Sequence, residues 1–162
     1  MSDASRAVRL RVTEMFRSVQ GESTWAGLPC VFVRLTGCPL RCVWCDTAYA
    51  FTGGETLSLE EVVDRVRTLG GGLVEVTGGE PLAQKGCLPL LRALADDGCT
   101  VLLETSGAIP LDGVDPRVRV IMDLKCPDSG ESERNRYENL SALKPEDELK
   151  FVLASRRDYE WA

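Results

Sequence analysis

The sequence predicts an α/β domain built on a mostly parallel sheet. Two observations point there. Short apolar runs alternate with helix-period segments, and polar clusters follow the ends of those runs instead of scattering along the chain. The chain has 162 residues, with no repeat, low-complexity tract or linker. It reads as one domain spanning residues 1–162, large enough to bury a single core.

A first strand is expected over residues 8–16 and a second over residues 30–35 (CVFVRL). A loop rich in cysteine and glycine follows over residues 37–54. Ser58 with Glu61 three residues later is a capping-box signature. Leu59, Val62, Val63, Val66 and Leu69 then fall on one helical face, and the glycines at 70–72 end the helix. Residues 73–77 (LVEVT) form a short strand that runs straight into Gly78 and Gly79. Residues 88–95 (LPLLRALA) suit a second helix and residues 100–104 (TVLLE) a strand. Residues 118–122 (VRVIM) and 148–153 (ELKFVL) predict two more strands, and residues 158–162 read as the start of a helix. In α/β folds the chemistry collects in loops at the carboxyl ends of strands. Here polar clusters follow Leu35, Val76, Leu103 and Met122, which predicts one shared site.

Composition narrows the function classes. A hydrophobic share of 44% and a charged share of 27% are those of an ordinary soluble protein. No stretch approaches the roughly 20 apolar residues of a membrane span, and the first ten residues carry no secretory hydrophobic region. A cytoplasmic protein with no membrane partner is the expectation. The net charge of −6 offers nucleic acid no broad basic face, so a small-molecule substrate is favoured over nucleic acid.

Seven cysteines and no histidine place any metal chemistry on sulfur and oxygen. Cys30, Cys87, Cys99 and Cys126 are scattered and read as small apolar core residues. Cys38, Cys42 and Cys45 are different, with spacing C-x3-C-x2-C in a loop marked by Gly37, Pro39 and Arg41. Three thiolates on an iron–sulfur cubane would leave its fourth iron open for a ligand, whereas electron-transfer sites usually supply four cysteines. Structural zinc is the alternative, and would need a remote fourth cysteine.

The triplet, with aromatic Trp44 before the last cysteine, resembles the radical S-adenosylmethionine (SAM) superfamily. Thr77–Gly78–Gly79–Glu80–Pro81 resembles that superfamily's GGEP motif. Val19–Gln20–Gly21–Glu22, Phe32–Val33–Arg34–Leu35, Cys45–Asp46–Thr47, Glu104–Thr105–Ser106–Gly107 and Asp123–Leu124–Lys125–Cys126–Pro127 narrow the resemblance to the 7-carboxy-7-deazaguanine synthases. It extends over roughly residues 12–153. That family converts 6-carboxy-5,6,7,8-tetrahydropterin to 7-carboxy-7-deazaguanine by radical ring contraction with loss of ammonia, on the route to queuosine and related 7-deazapurines.

The resemblance implies an incomplete or modified (β/α) barrel of the radical SAM type. It assigns Cys38, Cys42 and Cys45 to a 4Fe–4S cluster and Trp44, Cys45, Asp46, Gly78, Gly79, Glu80, Ser106, Asp123 and Lys125 to S-adenosylmethionine. Substrate contacts fall to Val19, Gln20, Gly21, Glu22, Arg34 and Thr77, and Thr47 gives its hydroxyl to Mg2+. Arg34 also stands out by itself, because a guanidinium in an apolar strand needs a partner. A substrate carboxylate would suit it, as would a structural Asp or Glu. The family tends to be dimeric and takes electrons from a donor such as flavodoxin. Its members usually continue past Trp161, so this chain reads as a fragment or a reduced member with its C-terminal part missing. Two rivals stand beside this reading: another radical SAM enzyme such as a glycyl-radical activase, and a non-catalytic iron–sulfur or zinc protein.

Overall fold

Seven strands among the described residues pair into one sheet in the order β3-β1-β2-β4-β5-β6-β7. They are β1 (Arg9–Val19), β2 (Pro29–Leu35), β3 (Glu55–Ser58), β4 (Leu73–Gly78), β5 (Thr100–Thr105), β6 (Arg119–Asp123) and β7 (Glu148–Lys150). The helices are α1 (Leu59–Thr68), α2 (Cys87–Asp96) and α3 (Arg156–Trp161). The computed structural model describes residues 8–162; residues 1–7, read above as free of a secretory signal, lie outside the described residues.

From β2 to β7 every neighbouring pair is parallel, while β1 runs antiparallel to both β2 and β3. The mostly parallel sheet is therefore as expected. In place of a closed barrel the sheet stays open, with β3 and β7 as its edges, which fits an incomplete or modified barrel. No helical crossover links β6 to β7. Short 3₁₀ turns and irregular chain occupy that connection, so the helical layer stops at α1 and α2. The strand expected over residues 148–153 is only the three residues of β7. β3 was not expected at all. At four residues, with its apolar Leu57 pairing Leu10 of β1, it is too short to show a period of two.

α1 begins where the capping box placed it: Ser58 accepts from Glu61 N, and the Glu61 carboxylate accepts from Ser58 N. Its Val62, Val63 and Val66, with Leu90, Leu91 and Leu94 of α2, bury one face of the sheet. Strand alternation supplies the other half of that core: Val31, Val33 and Leu35 from β2, Val74 and Val76 from β4, Val101 and Leu103 from β5, Val120 and Met122 from β6. The residues between them, Phe32, Arg34, Glu75, Thr77, Glu104 and Asp123, point to the opposite face, and all line a single cavity. One period-two pattern thus writes the core on one side and the site on the other.

α3 starts two residues before its expected position, with Ser155 accepting from Asp158 N. Asp158 is fully buried and accepts from the backbone N–H of Asp128 and Ala154, both at 3.0 Å. That clasp ties α3 to the turn after Cys126. Of the scattered cysteines, Cys30, Cys87 and Cys126 are buried as core residues, and Cys99 is half-buried.

Candidate active site

The chain leaves β2 at Leu35 and turns at Thr36 and Gly37 into the cysteine loop. Gly37 N–H donates to the Ala50 carbonyl at 2.8 Å, closing the loop on itself. Leu40 is buried beneath it, and Val43 N–H bonds the Ser129 carbonyl at 3.0 Å. Arg41 donates to the carbonyl of Cys38 at 2.8 Å and lays its guanidinium 4.2 Å over the Phe51 ring. Cys38, Cys42 and Cys45 are free, half-buried and all line the cavity. Burial pushes the Cys38 and Cys42 thiols up. No fourth cysteine lines the cavity. Among the described residues no three Cys, Asp or Glu side chains converge as ligands of one ion would. A tetrahedral zinc needs such convergence, whereas a cubane gives each thiolate its own iron. The donor set therefore fits a cluster with an open position better than it fits zinc.

β4 ends against this loop. Gly79 N–H bonds the Leu35 carbonyl at 3.2 Å and Glu80 N–H the Gly37 carbonyl at 2.8 Å. Gly78 has φ of +148°, and a Cβ there would stand 2.2 Å from the Leu35 carbonyl oxygen. Only glycine allows the two segments to lie this close. Glu80 departs from its expected place. Its carboxylate is fully buried and does not line the cavity. It accepts instead from Leu82 N–H and Thr105 Oγ1 at 2.9 Å and from Ser106 N–H at 2.7 Å, which knits the end of β4 to the end of β5. Ser106 Oγ donates to it as well.

The other expected positions do gather. Trp44, Asp46, Thr47, Gly78, Gly79, Ser106, Asp123 and Lys125 line the cavity together with Val19, Gln20, Gly21, Glu22, Arg34 and Thr77. Its volume is about 540 Å³, within the range of small-molecule sites. Asp123 Oδ2 accepts from Lys125 Nζ at 2.8 Å, while Oδ1 is the buried side-chain atom left without a partner among the described residues. A buried acceptor without a donor is costly, and a ligand hydroxyl or ammonium would satisfy it. Thr47 Oγ1 donates to Asp46 Oδ1 at 2.6 Å, so two oxygens suited to Mg2+ sit side by side.

Arg34 meets a protein partner. Its Nε donates to Glu14 Oε1 at 2.7 Å, and Tyr49 Oη donates to the same oxygen at 2.7 Å. The Tyr49 hydrogen bond and then Arg34 hold the Glu14 carboxyl below its ordinary range. The cross-strand register, Glu14 opposite Arg34, creates the pair.

Sequence reasoning missed Glu75 and Lys150, and gave Glu104 no role. All three line the cavity floor. The Glu104 carboxylate pairs with Lys150 and accepts from Thr77 Oγ1 at 2.8 Å, and Lys150 also reaches Glu22 at 2.7 Å. Burial opposes the charge on Lys150, but Glu104 and Glu22 more than offset it and hold the ammonium above its usual range. Burial, reinforced by Glu104, pushes Glu75 up to about 8. The available signal was a glutamate alternating with valines in a strand that is otherwise core. Phe16 and Phe32 stack at 5.1 Å beside these groups and give the cavity an apolar wall.

Comparison with known proteins points the same way. A family model described as the Radical SAM superfamily matches residues 32–128. The chain is 52% identical over 155 residues to the 7-carboxy-7-deazaguanine synthase of Koribacter versatilis (strain Ellin345), covering 94% of this chain and 69% of that one. It is 50% identical over 156 residues to the enzyme of the same name from Chlorobaculum tepidum, covering 94% and 71%. Among solved structures it resembles QueE from Escherichia coli, with a TM-score of 0.80 at 27% identity, covering 94% of this chain and 75% of that one.

Proposed function

The chain belongs to the radical SAM superfamily and, within it, to the 7-carboxy-7-deazaguanine synthases, and from that premise we propose the substrate, the ligand roles and the partners. It is a radical SAM lyase. Its substrate is 6-carboxy-5,6,7,8-tetrahydropterin and its product 7-carboxy-7-deazaguanine, formed by ring contraction with loss of ammonia. One observation carries the assignment: the cysteine loop and the Gly78–Gly79 strand end share one cavity with the Gln20, Glu22, Arg34 and Thr77 group.

When bound, a 4Fe–4S cluster with S-adenosylmethionine would supply one-electron radical chemistry for hydrogen abstraction from the substrate. The protein does the rest by positioning. Cys38, Cys42 and Cys45 would hold the cluster through three thiolates. Gly78 and Gly79 present backbone to the methionyl end of the cofactor, with Glu80 bracing that backbone from below. Asp123 Oδ1 accepts a cofactor hydroxyl or ammonium, and Ser106 and Lys125 flank it. Arg34, held by Glu14, directs its remaining N–H groups to the substrate carboxylate. Gln20, Gly21 and Glu22 line the heterocycle with Val19, and Thr47 with Asp46 would supply oxygen ligands to Mg2+. Residues 1–162 act as one radical SAM domain. The protein works in the cytoplasm as a homodimer with a flavodoxin-type electron donor. No helix among the described residues is long and apolar enough to cross a membrane.

The experiment is anaerobic reconstitution with iron and sulfide, then reduction in the presence of S-adenosylmethionine, Mg2+ and carboxytetrahydropterin, with products followed by mass spectrometry. Carboxydeazaguanine is expected. Its absence from protein carrying a verified cluster, with 5′-deoxyadenosine still formed, would refute the substrate.

A further inference from the structure

The cavity floor holds a carboxyl pair that the cofactor and substrate assignments leave unused. Glu75 on β4 and Glu104 on β5 are diagonal neighbours across the sheet, and both side chains line the same cavity. Two charged carboxylates side by side out of water repel each other, so one of the pair keeps a proton. The surroundings decide which. Glu104 accepts from Thr77 Oγ1 at 2.8 Å and is ion-paired with Lys150. Glu75 is 4% exposed, makes no ion pair among the described residues, and otherwise meets the side-chain amide of Gln20.

The remaining charged and titratable groups around Glu75 agree with a neutral carboxyl. Cys30 on β2 is a thiol that burial pushes up to about 12, so it brings no charge of its own at neutral pH. Lys150 on β7 is already shared between Glu104, Glu22 and, at 3.9 Å, Asp123. Burial together with the Glu104 charge raises the Glu75 carboxyl to about 8.

Glu75 also reaches the substrate loop. Gln20, buried at 4% exposure, donates Nε2 to Glu75 and accepts the Glu22 backbone N–H on Oε1 at 3.1 Å. Glu75 therefore faces two things at once: its proton the Glu104 carboxylate, and its acceptor oxygen, through Gln20, the turn carrying residues 19–22. Glu104 has about four lone-pair directions. Thr77 and Lys150 occupy two; a proton on Glu75 would take a third and leave the fourth for a donor in the cavity.

We propose that Glu75 is a positioning residue whose protonated carboxyl donates to Glu104 and holds that carboxylate as the acceptor for the N–H edge of the bound heterocycle. This rests on the pterin reading above. Loss of the proton would set two carboxylates against each other and turn Glu104 away, while Gln20, as a donor, would stay on Glu75.

The test compares Glu75→Gln with Glu75→Leu in the reconstituted enzyme, by steady-state kinetics across pH 6–10. Glutamine can donate to Glu104 and accept from Gln20, as the protonated acid does. E75Q is expected to keep kcat/KM within about threefold of the parent at neutral pH. The parent should lose activity as pH rises through about 8, and E75Q should lack that limb. E75L should raise KM for the carboxypterin by about tenfold or more, with kcat less affected. Its substrate-independent 5′-deoxyadenosine formation reports that fold and cluster are intact. E75Q as impaired as E75L, or retaining the alkaline limb, overturns the proposal. If the parent turns over no carboxypterin, the substrate reading fails by itself. Carbon-13 NMR of glutamate-labelled protein then still decides on Glu75: a carboxyl titrating at about 8 that vanishes in E75Q upholds the protonated pair, and its absence from the parent refutes it.

Discussion

Replacing Gly79 by alanine tests the close approach on which the cofactor site depends. A Cβ at this position would stand 2.4 Å from the Gly37 carbonyl oxygen and 2.8 Å from Cys38 Cβ. Both are parts of the cluster loop, and the first is backbone, so no flexible side-chain end can step aside. To restore even a 3.0 Å approach the carbonyl must retreat by about 0.6 Å. That carbonyl also accepts Glu80 N–H at 2.8 Å, a bond the retreat would lengthen and weaken. Cys38 moves with it. Overpacking of this kind costs about 1–3 kcal/mol of stability. A shift approaching 1 Å at reacting groups costs up to about a hundredfold in rate. The expectation for G79A is a roughly 10- to 100-fold slower formation of 5′-deoxyadenosine by anaerobic assay, with a lower Tm. Gly21→Ala is the control, since a Cβ there meets nothing within 4 Å. It should leave thermal stability within about 0.5 kcal/mol of the parent. Parent-like cofactor cleavage by G79A would refute the argument that backbone contact at Gly79 sets the geometry.

Three further expectations follow from the same structure. Glu80→Ala strands the donors of Thr105, Ser106 and Leu82 in the interior, so urea denaturation should show a loss of about 3 kcal/mol or more. A merely solvent-facing or cofactor-facing glutamate would lose far less. Arg34→Lys keeps the charge but not the planar fork that bonds Glu14 while facing the cavity. KM for the carboxypterin should rise about tenfold while cofactor cleavage without substrate is retained; an equal loss of both would move Arg34 to the cofactor side. Asp158→Ala removes the buried acceptor of the Asp128 and Ala154 N–H groups. Hydrogen exchange should accelerate in residues 126–130 and 154–161 together, with about 2–3 kcal/mol lost; unchanged exchange there would show that the clasp does not hold α3.

What could be read without coordinates was what is local. Cys38, Cys42 and Cys45 lie within one loop, so their spacing alone announces a shared metal centre. The capping box at Ser58 and the valine periodicity after it define α1, because helical contacts span only three or four residues. Parallel strands buried on both faces read as apolar runs, which is why β2, β4, β5 and β6 were legible. The tertiary structure decided what depends on strand order and side-chain direction. β3 is too short to carry a period and forms only because β1 offers it a partner. Whether the sheet closes depends on its edges, and these remain apart. Glu80 lies inside the cofactor motif, yet its carboxylate turns into the interior to bind β5. Arg34 finds Glu14 through antiparallel register. Gln20, Glu75, Glu104 and Lys150 are far apart in the chain and meet only where loop, β4, β5 and β7 converge. A sequence records which residues can be charged, but two carboxyls side by side and shielded from water exist only once folding has brought them together.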